Sequence, residues 1–294
     1  MSSAALSPVQ AEIVRPSRNR RLLRRVLRTG NITFGASALL IITALAIFAP
    51  VISPYDPLAV IAADRLQPPS ILHLFGTDDF GRDVLTRVLY GAQLSLQVGL
   101  ISVALASFTG SALGVLAGYY GGRIDAVIMR FIDVLLAFPS ILLALAIVAI
   151  LGRSLPNVML AVGISTIPLY TRVVRASTLS IKQVDFILAA RAIGCPSWRI
   201  MTNHILPNVI APIIVVTTNG IAGAIIAGAA LGFLGLGAVS PTPEWGLMLS
   251  EGRAYLRAAS WVTTFPGLAI MVTVMAINLL GDGLRDVFDP RLRI

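Results

Sequence analysis

Six apolar runs divide the chain, at about 32–53, 93–117, 134–151, 157–171, 209–236 and 262–280, with polar stretches between them. A helix rises about 1.5 Å per residue, so crossing the hydrocarbon of a bilayer takes roughly 20 apolar residues. The pattern predicts an all-α polytopic membrane protein with six spanning helices, the fourth short and running on toward Ala176. An even number of crossings leaves both ends of the chain on one side.

The most structured interruption runs from Asp185 to Pro212, DFILAARAIGCPSWRIMTNHILPNVIAP. It reads as two short helices joined at a corner. Asp185 is suited to cap the first, because its carboxylate accepts from the free amides that open a helix, and Phe186 to Ile193 are mostly helix formers. Gly194 supplies the left-handed turn that ends a helix, and Pro196 is tolerated in the first turn of the next. Trp198, Met201 and Ile205 then recur at three- and four-residue spacing, an apolar stripe suited to a membrane surface or a partner. Pro207 and Pro212 bracket the entry into the next apolar run.

Composition narrows the class. The 294 residues are 56% hydrophobic and 13% charged, with a mean hydropathy of +0.84, whereas soluble domains carry about 25% charged residues. A net charge of +9 in a soluble protein would suggest nucleic acid. Placement decides otherwise: with the N-terminus inside, 17 of the 23 Lys and Arg fall in inner segments, while the 14 acids divide evenly. The positive-inside rule makes both termini cytoplasmic, and the basicity is topology rather than nucleic-acid binding. A single cysteine, Cys195, excludes an intrachain disulfide and offers no pair for a metal.

The segments follow. Residues 1–31 form a basic cytoplasmic tail. Its later half is either an amphipathic helix on anionic headgroups, with Leu22, Leu23, Val26 and Leu27 apolar, or a disordered tail that sets topology. The run 32–53 is too long for a signal-peptide core and reads as an anchor. Residues 54–92 lie outside, and the stretch from Gly76 to Arg87 within them reads as a capped amphipathic helix, with Arg82, Asp83 and Arg87 pairing along its surface. The acid spacing of a calcium loop is absent there. A core of 93–280 holds the inner loop at about 177–208, and 281–294 is an inner tail. Gly110, Gly114 and Gly118, and again Gly220, Ala224, Gly228 and Gly232, recur every four residues, which brings helices close or lines a path between them. The outer stretch 237–260 is half apolar and broken by proline, a pattern that re-enters a membrane or lies at its interface, with Trp245 and Trp261 at headgroup level.

The 185–212 stretch closely resembles the cytoplasmic signature loop of ABC-importer permeases, Glu-Ala-Ala, three residues, Gly, then about ten residues to an apolar residue and Leu-Pro. Ala189, Ala190, Gly194, Leu206 and Pro207 match; Leu188 stands at the glutamate position, and the pattern's apolar position falls on His204 or Ile205. Gly76 to Arg87, Ala230 to Gly237, Pro241 to Gly246, and Phe265 to Asp286 are similar to the C-type permeases of dipeptide and oligopeptide importers, a branch that also serves nickel and glutathione. The likeness covers nearly the whole chain beyond the basic tail. It implies a type I importer permease in a prokaryotic cell membrane, one half of a pore for short peptides, with nickel or glutathione as alternatives. It also implies a coupling helix that enters a cleft of an ATPase subunit through Asp185, Phe186, Leu188, Ala189, Ala190, Arg191 and Gly194, with Pro196, Leu206 and Pro207 supporting it. The implied partners are a homologous B-type permease, two ATPase subunits or one fused ATPase chain, and an extracytoplasmic substrate-binding protein. ATP and Mg2+ would sit on the ATPases, and this chain would carry no cofactor, no metal and no catalytic residue of its own.

What the residues lack points the same way. A phosphate-binding loop needs Gly-Lys-Ser/Thr, and the sole lysine, Lys182, follows Ser180-Ile181. An ion-coupled secondary carrier usually holds ionisable groups inside the membrane, and the six runs contain none, only polar residues such as Asn219 and Asn278. A hydrolase needs a base beside its nucleophile. The two histidines, His73 and His204, both fall outside the runs and read as surface or interfacial residues.

Overall fold

The computed structural model describes residues 30–288; the basic tail lies outside them. Nine helices organise these residues: α1 (Gly30–Ile47), α2 (Val84–Tyr120), α3 (Gly122–Leu136), α4 (Ser140–Leu151), α5 (Leu155–Ile181), α6 (Asp185–Ala192), α7 (Leu206–Phe233), α8 (Trp245–Gly252) and α9 (Trp261–Phe288), with short helical turns between some of them. Among the described residues there is no strand, only an isolated antiparallel bridge between Thr77 and Asp83. Lipid offers no hydrogen bonds to a bare backbone, and helices satisfy their own.

Helices α1, α2, α5, α7 and α9 are each long and apolar enough to cross a membrane, α7 together with the turns that lead into it from Ser197. The run at 134–151 is not one straight span. Helices α3 and α4 pass the same test only as a pair bent by 87°. The cause is Pro139, which lacks an amide for the helix ladder and biases Phe138 away from helical geometry. At the other end of α3, Gly121 and Gly122 take φ of +67° and +53°, a reversal that side chains resist.

The helices also outrun the apolar windows. With 37 residues, α2 is about 55 Å long, longer than the bilayer with its headgroups, so its first turns project beyond the lipid. Arg87 on α2, and Arg172 and Arg175 on α5, sit in these extensions.

Close contact between α2 and α5 forms the centre. A Cβ at Gly110 would come within 2.5 Å of the Tyr170 Cβ, one at Gly114 within 2.8 Å of the Thr171 carbonyl, and one at Gly118 within 2.7 Å of the Thr178 Cβ. The hydroxyl of Ser102 donates across the pair to the Met159 carbonyl at 2.9 Å. Val98, Val103, Val162, Tyr170, Ala224 and Leu231 are buried around this seam, where α7 crosses it. On α7, Gly228 faces Val98 and Gly220 faces the Tyr170 hydroxyl. Helix α9 carries α1 against it: a Cβ at Gly35 would meet the backbone of Ala276 and Leu280.

Gly114→Val inserts a branched side chain where backbone stands, and overpacking of this kind costs about 1–3 kcal/mol. The variant is expected to lower the midpoint of thermal unfolding in detergent by several degrees, whereas Gly267→Ala, whose nearest neighbour is a Leu249 methyl at 3.8 Å, leaves it unchanged.

Candidate functional site

Helix α6 stands at the end of the bundle where α2 finishes and α7 begins. Its N-cap is Val184, without a side-chain cap, and Asp185 is the first helical residue, so the expected capping by Asp185 is not what forms. The carboxylate still lies in the first turn, where the helix dipole favours it. The C-terminus closes as anticipated: Gly194 takes φ of +79°, and the amides of Gly194 and Cys195 donate to the carbonyls of Arg191 and Ala190, both at 3.0 Å. These two bonds make a Schellman motif.

One residue seats this helix. Ile187 is fully buried among Val115 and Tyr119 of α2, Val174 of α5, Ile200, Ile205, and Val209 of α7. Asp185, Phe186, Leu188, Ala189, Arg191 and Gly194 are exposed, and Ala190 is half-buried. The Arg191 guanidinium lies 5.5 Å from the Tyr119 ring centre. Pro196 precedes a helical turn at Ser197–Arg199 rather than lying within it; Leu206 and Pro207 open α7 and are exposed.

The expected stripe of Trp198, Met201 and Ile205 does not form. Residues Ile200–Ile205 adopt a π-helix, whose wider turn aligns residues five apart, so Ile200 and Ile205 are buried together while Trp198 is 59% exposed. Exposed Phe186, Leu188, Ile193 and Trp198 together give this end an apolar surface.

The opposite end is held by buried charge. Asp78 closes its own turn by accepting from the amides of Phe80 and Arg82, each at 2.9 Å. Its second oxygen meets Arg82 Nε at 2.6 Å and Arg87 Nε at 3.5 Å. Both guanidiniums reach Glu251 on α8, at 3.2 and 3.4 Å. Arg87 also donates to the carbonyls of Pro57 and Pro241, both at 3.1 Å, and so joins four segments. The surface pairing expected of Arg82 and Arg87 is corrected: both are buried, at 2% and 1% exposure. Asp83 caps α2 by accepting from Thr86 at 2.8 Å and meets His73 Nδ1 at 3.0 Å. His73 is thereby internal, not a surface residue.

Trp245 and Trp261 both hydrogen-bond inward. The Trp245 indole is buried and donates to the Val88 carbonyl at 3.0 Å, and Trp261 donates to Thr77 at 3.1 Å. Glu244 caps α8 through the amides of Gly246 and Leu247, each at 2.8 Å. Burial raises its carboxyl above the ordinary range, and those two amides pull the other way.

Between the two ends, a cavity of about 880 Å³ opens beside α7, lined by α4, α5, α7 and Arg285 of α9. Gly220 and Ala224 of the α7 small-residue repeat line it, while Gly228 and Gly232 pack instead against Val98 and Gly246. Sequence pattern alone did not single out Ser165, Thr166, Asn208 or Arg285 as neighbours; they are brought together here. Among the described residues no three His, Cys, Asp or Glu side chains group as metal ligands.

A multi-helix membrane bundle with this short helix at one end has the fold of a type I ABC importer permease. The inward-facing MetNI methionine ABC transporter superposes with a TM-score of 0.57 at 19% identity, covering 70% of this chain and 98% of that one. Residues 110–294 match the family described as binding-protein-dependent transport system inner membrane component, and residues 19–69 match the N-terminal TM domain of oligopeptide transport permease C. The chain belongs to the family of binding-protein-dependent transport system inner membrane components. It is 52% identical over 258 residues to a dipeptide transport system permease protein of Alkalihalophilus pseudofirmus, covering 87% of this chain and 85% of that protein. A glutathione transport system permease protein of Pectobacterium atrosepticum is 46% identical, covering 93% and 91%.

Removing one partner from a buried ion cluster strands the others, at about 3–5 kcal/mol. Asp78→Ala, which leaves two buried guanidiniums facing Glu251 alone, is expected to cut the yield of folded protein and lower its thermal midpoint more than Asp133→Ala does at an exposed pair. Equal effects would show that the buried cluster adds nothing.

Proposed function

We propose that this chain is the C-type permease subunit of an ATP-driven importer of short peptides, forming half of the pore with a homologous B-type permease. The observation that carries the reading is α6, an eight-residue helix whose outward side chains are exposed and whose one buried residue shares an apolar cluster with residues of three of the long helices. Such a helix is open to a partner and joined to the bundle. In this reading it docks into a cleft of an ATPase subunit through Asp185, Phe186, Leu188, Ala189, Ala190, Arg191 and Gly194. ATP and Mg2+ act on the ATPases, while this chain performs no catalysis.

Orientation follows from the basic residues. Both termini and α6 face the cytoplasm, and the ion cluster with α8 faces outward, where a substrate-binding protein delivers its load. ATP-driven closure of the ATPases would draw α6 toward its counterpart and shift the balance between inward- and outward-open states. A docking contact moves that balance only if it differs in free energy between the two. The peptide class is supported by the dipeptide and glutathione permeases among the relatives; glutathione is itself a tripeptide.

Ala189→Arg places a long cation at the centre of the docking face, on an exposed position where folding is not disturbed. The variant is expected to insert normally but to lose the ATPases from the purified complex, and with them peptide uptake. Persistence of both would overturn the docking assignment. Orientation is checked with Cys195, the only thiol: a membrane-impermeant maleimide is expected to label it in inside-out vesicles and to leave it unlabelled in intact spheroplasts.

A further inference from the structure

The cavity beside α7 has a volume of about 880 Å³, within the 300–1,000 Å³ range of small-molecule sites. Its walls are mostly apolar, and three of its six polar side chains are already engaged within the chain. Ser165 and Thr166 donate to the Val162 carbonyl at 3.0 and 2.7 Å, and the Asn208 amide donates to the His204 carbonyl at 2.6 Å. Ser140, Asn219 and Arg285 have no hydrogen-bond or ion-pair partner among the described residues.

Asn219 is the unusual one of these. It lies near the middle of the 28-residue α7, yet it is exposed. A bare amide turned to hydrocarbon costs several kcal/mol, so this face meets water, protein or cargo. The amide rests against α9 at Gly281, where any side chain would collide with its Oδ1. Arg285 is four residues farther along α9, on the same face and about 6 Å along the axis. Neither Asp282 nor Asp286, the acids nearest to it on its own helix, pairs with it. An exposed amide on α7 and, on α9, a guanidinium with no ion-pair partner among the described residues thus line one cavity.

We propose that this cavity is a peptide contact site, in which Arg285 takes the free terminal carboxylate and Asn219 a backbone amide near it. The proposal rests on the peptide reading above. A guanidinium binds a carboxylate through two parallel hydrogen bonds, and an asparagine amide both donates to and accepts from a peptide group. Both features are common to all linear peptides whatever their side chains, and the apolar walls make no demand on sequence. The site would read the backbone and the end of the chain, not the residues.

The test uses the complete complex, co-purified with its partner permease and ATPases on a Cys195→Ser background. Gly223→Cys places a thiol in the cavity, one turn from Asn219, at a glycine whose added Cβ meets nothing within 4 Å. Trialanine is expected to slow maleimide labelling of that thiol, with half-maximal protection at a concentration about tenfold lower than trialanine amide requires, the scale of one charge-assisted hydrogen bond. Arg285→Gln and Asn219→Ala should each erase the protection, and Arg285→Lys should keep part of it. If Gly223→Cys does not assemble, Ala227→Cys, another cavity residue one turn on, gives the same readout. Unchanged labelling with trialanine, or equal protection by acid and amide, would refute the site. Trialanine uptake by the parent complex with its binding protein separates the two levels: uptake without protection sinks this inference alone, and no uptake of any peptide sinks the peptide reading together with it.

Discussion

The closeness of α2 to α5 is the constraint on which the rest depends. Inside lipid, apolar side chains gain little by leaving one apolar medium for another, so association rests on intimate van der Waals contact and the few available hydrogen bonds. Three glycines on α2, at Gly110, Gly114 and Gly118, remove the side chains that would keep the backbones apart. The seam they form fixes where Tyr170 sits, and Tyr170 in turn meets Gly220 of α7. The cavity, the seat of α6 and the path of α7 all take their positions from that pair.

The two ends are secured by different chemistry, in keeping with their surroundings. At the α8 end, water is displaced and charges are retained in mutual contact, a costly arrangement that is stable only while each partner remains. Asp78, Arg82, Arg87 and Glu251 bring together residues more than 160 positions apart in sequence. At the α6 end an apolar cluster that includes Ile187 seats the short helix, and the ion pairs beside it, Arg175 with Asp125 and Arg172 with Asp133, keep part of their surface in solvent.

Much of this was legible in the chain. Apolar runs gave the all-α architecture, and Gly194 gave the end of α6, because a left-handed turn has few alternatives to glycine. What escaped was set by contacts distant in sequence. Arg82 and Arg87 looked like surface charges because nothing near them in sequence reveals Glu251. Trp198 and Met201 looked like an apolar stripe because a period of 3.6 was assumed where Ile200–Ile205 winds more widely. Helix α3 falls between the apolar runs and drew no reading of its own, although Ile124, Val127, Phe131 and Val134 recur at the spacing of an amphipathic helix and are exposed along it. Asn219 was visible as a polar residue in an apolar run, but only the approach of Gly281 and the cavity shared with Arg285 gave it a place.

The short helix α6 meets the bundle at a crossroads. The socket around Ile187 has walls from α2, α5 and α7, and Arg191 over the Tyr119 ring ties the same helix to α2 at a second point. A load placed on α6 from outside therefore enters three long helices at one place, beside the seam that α2 and α5 share.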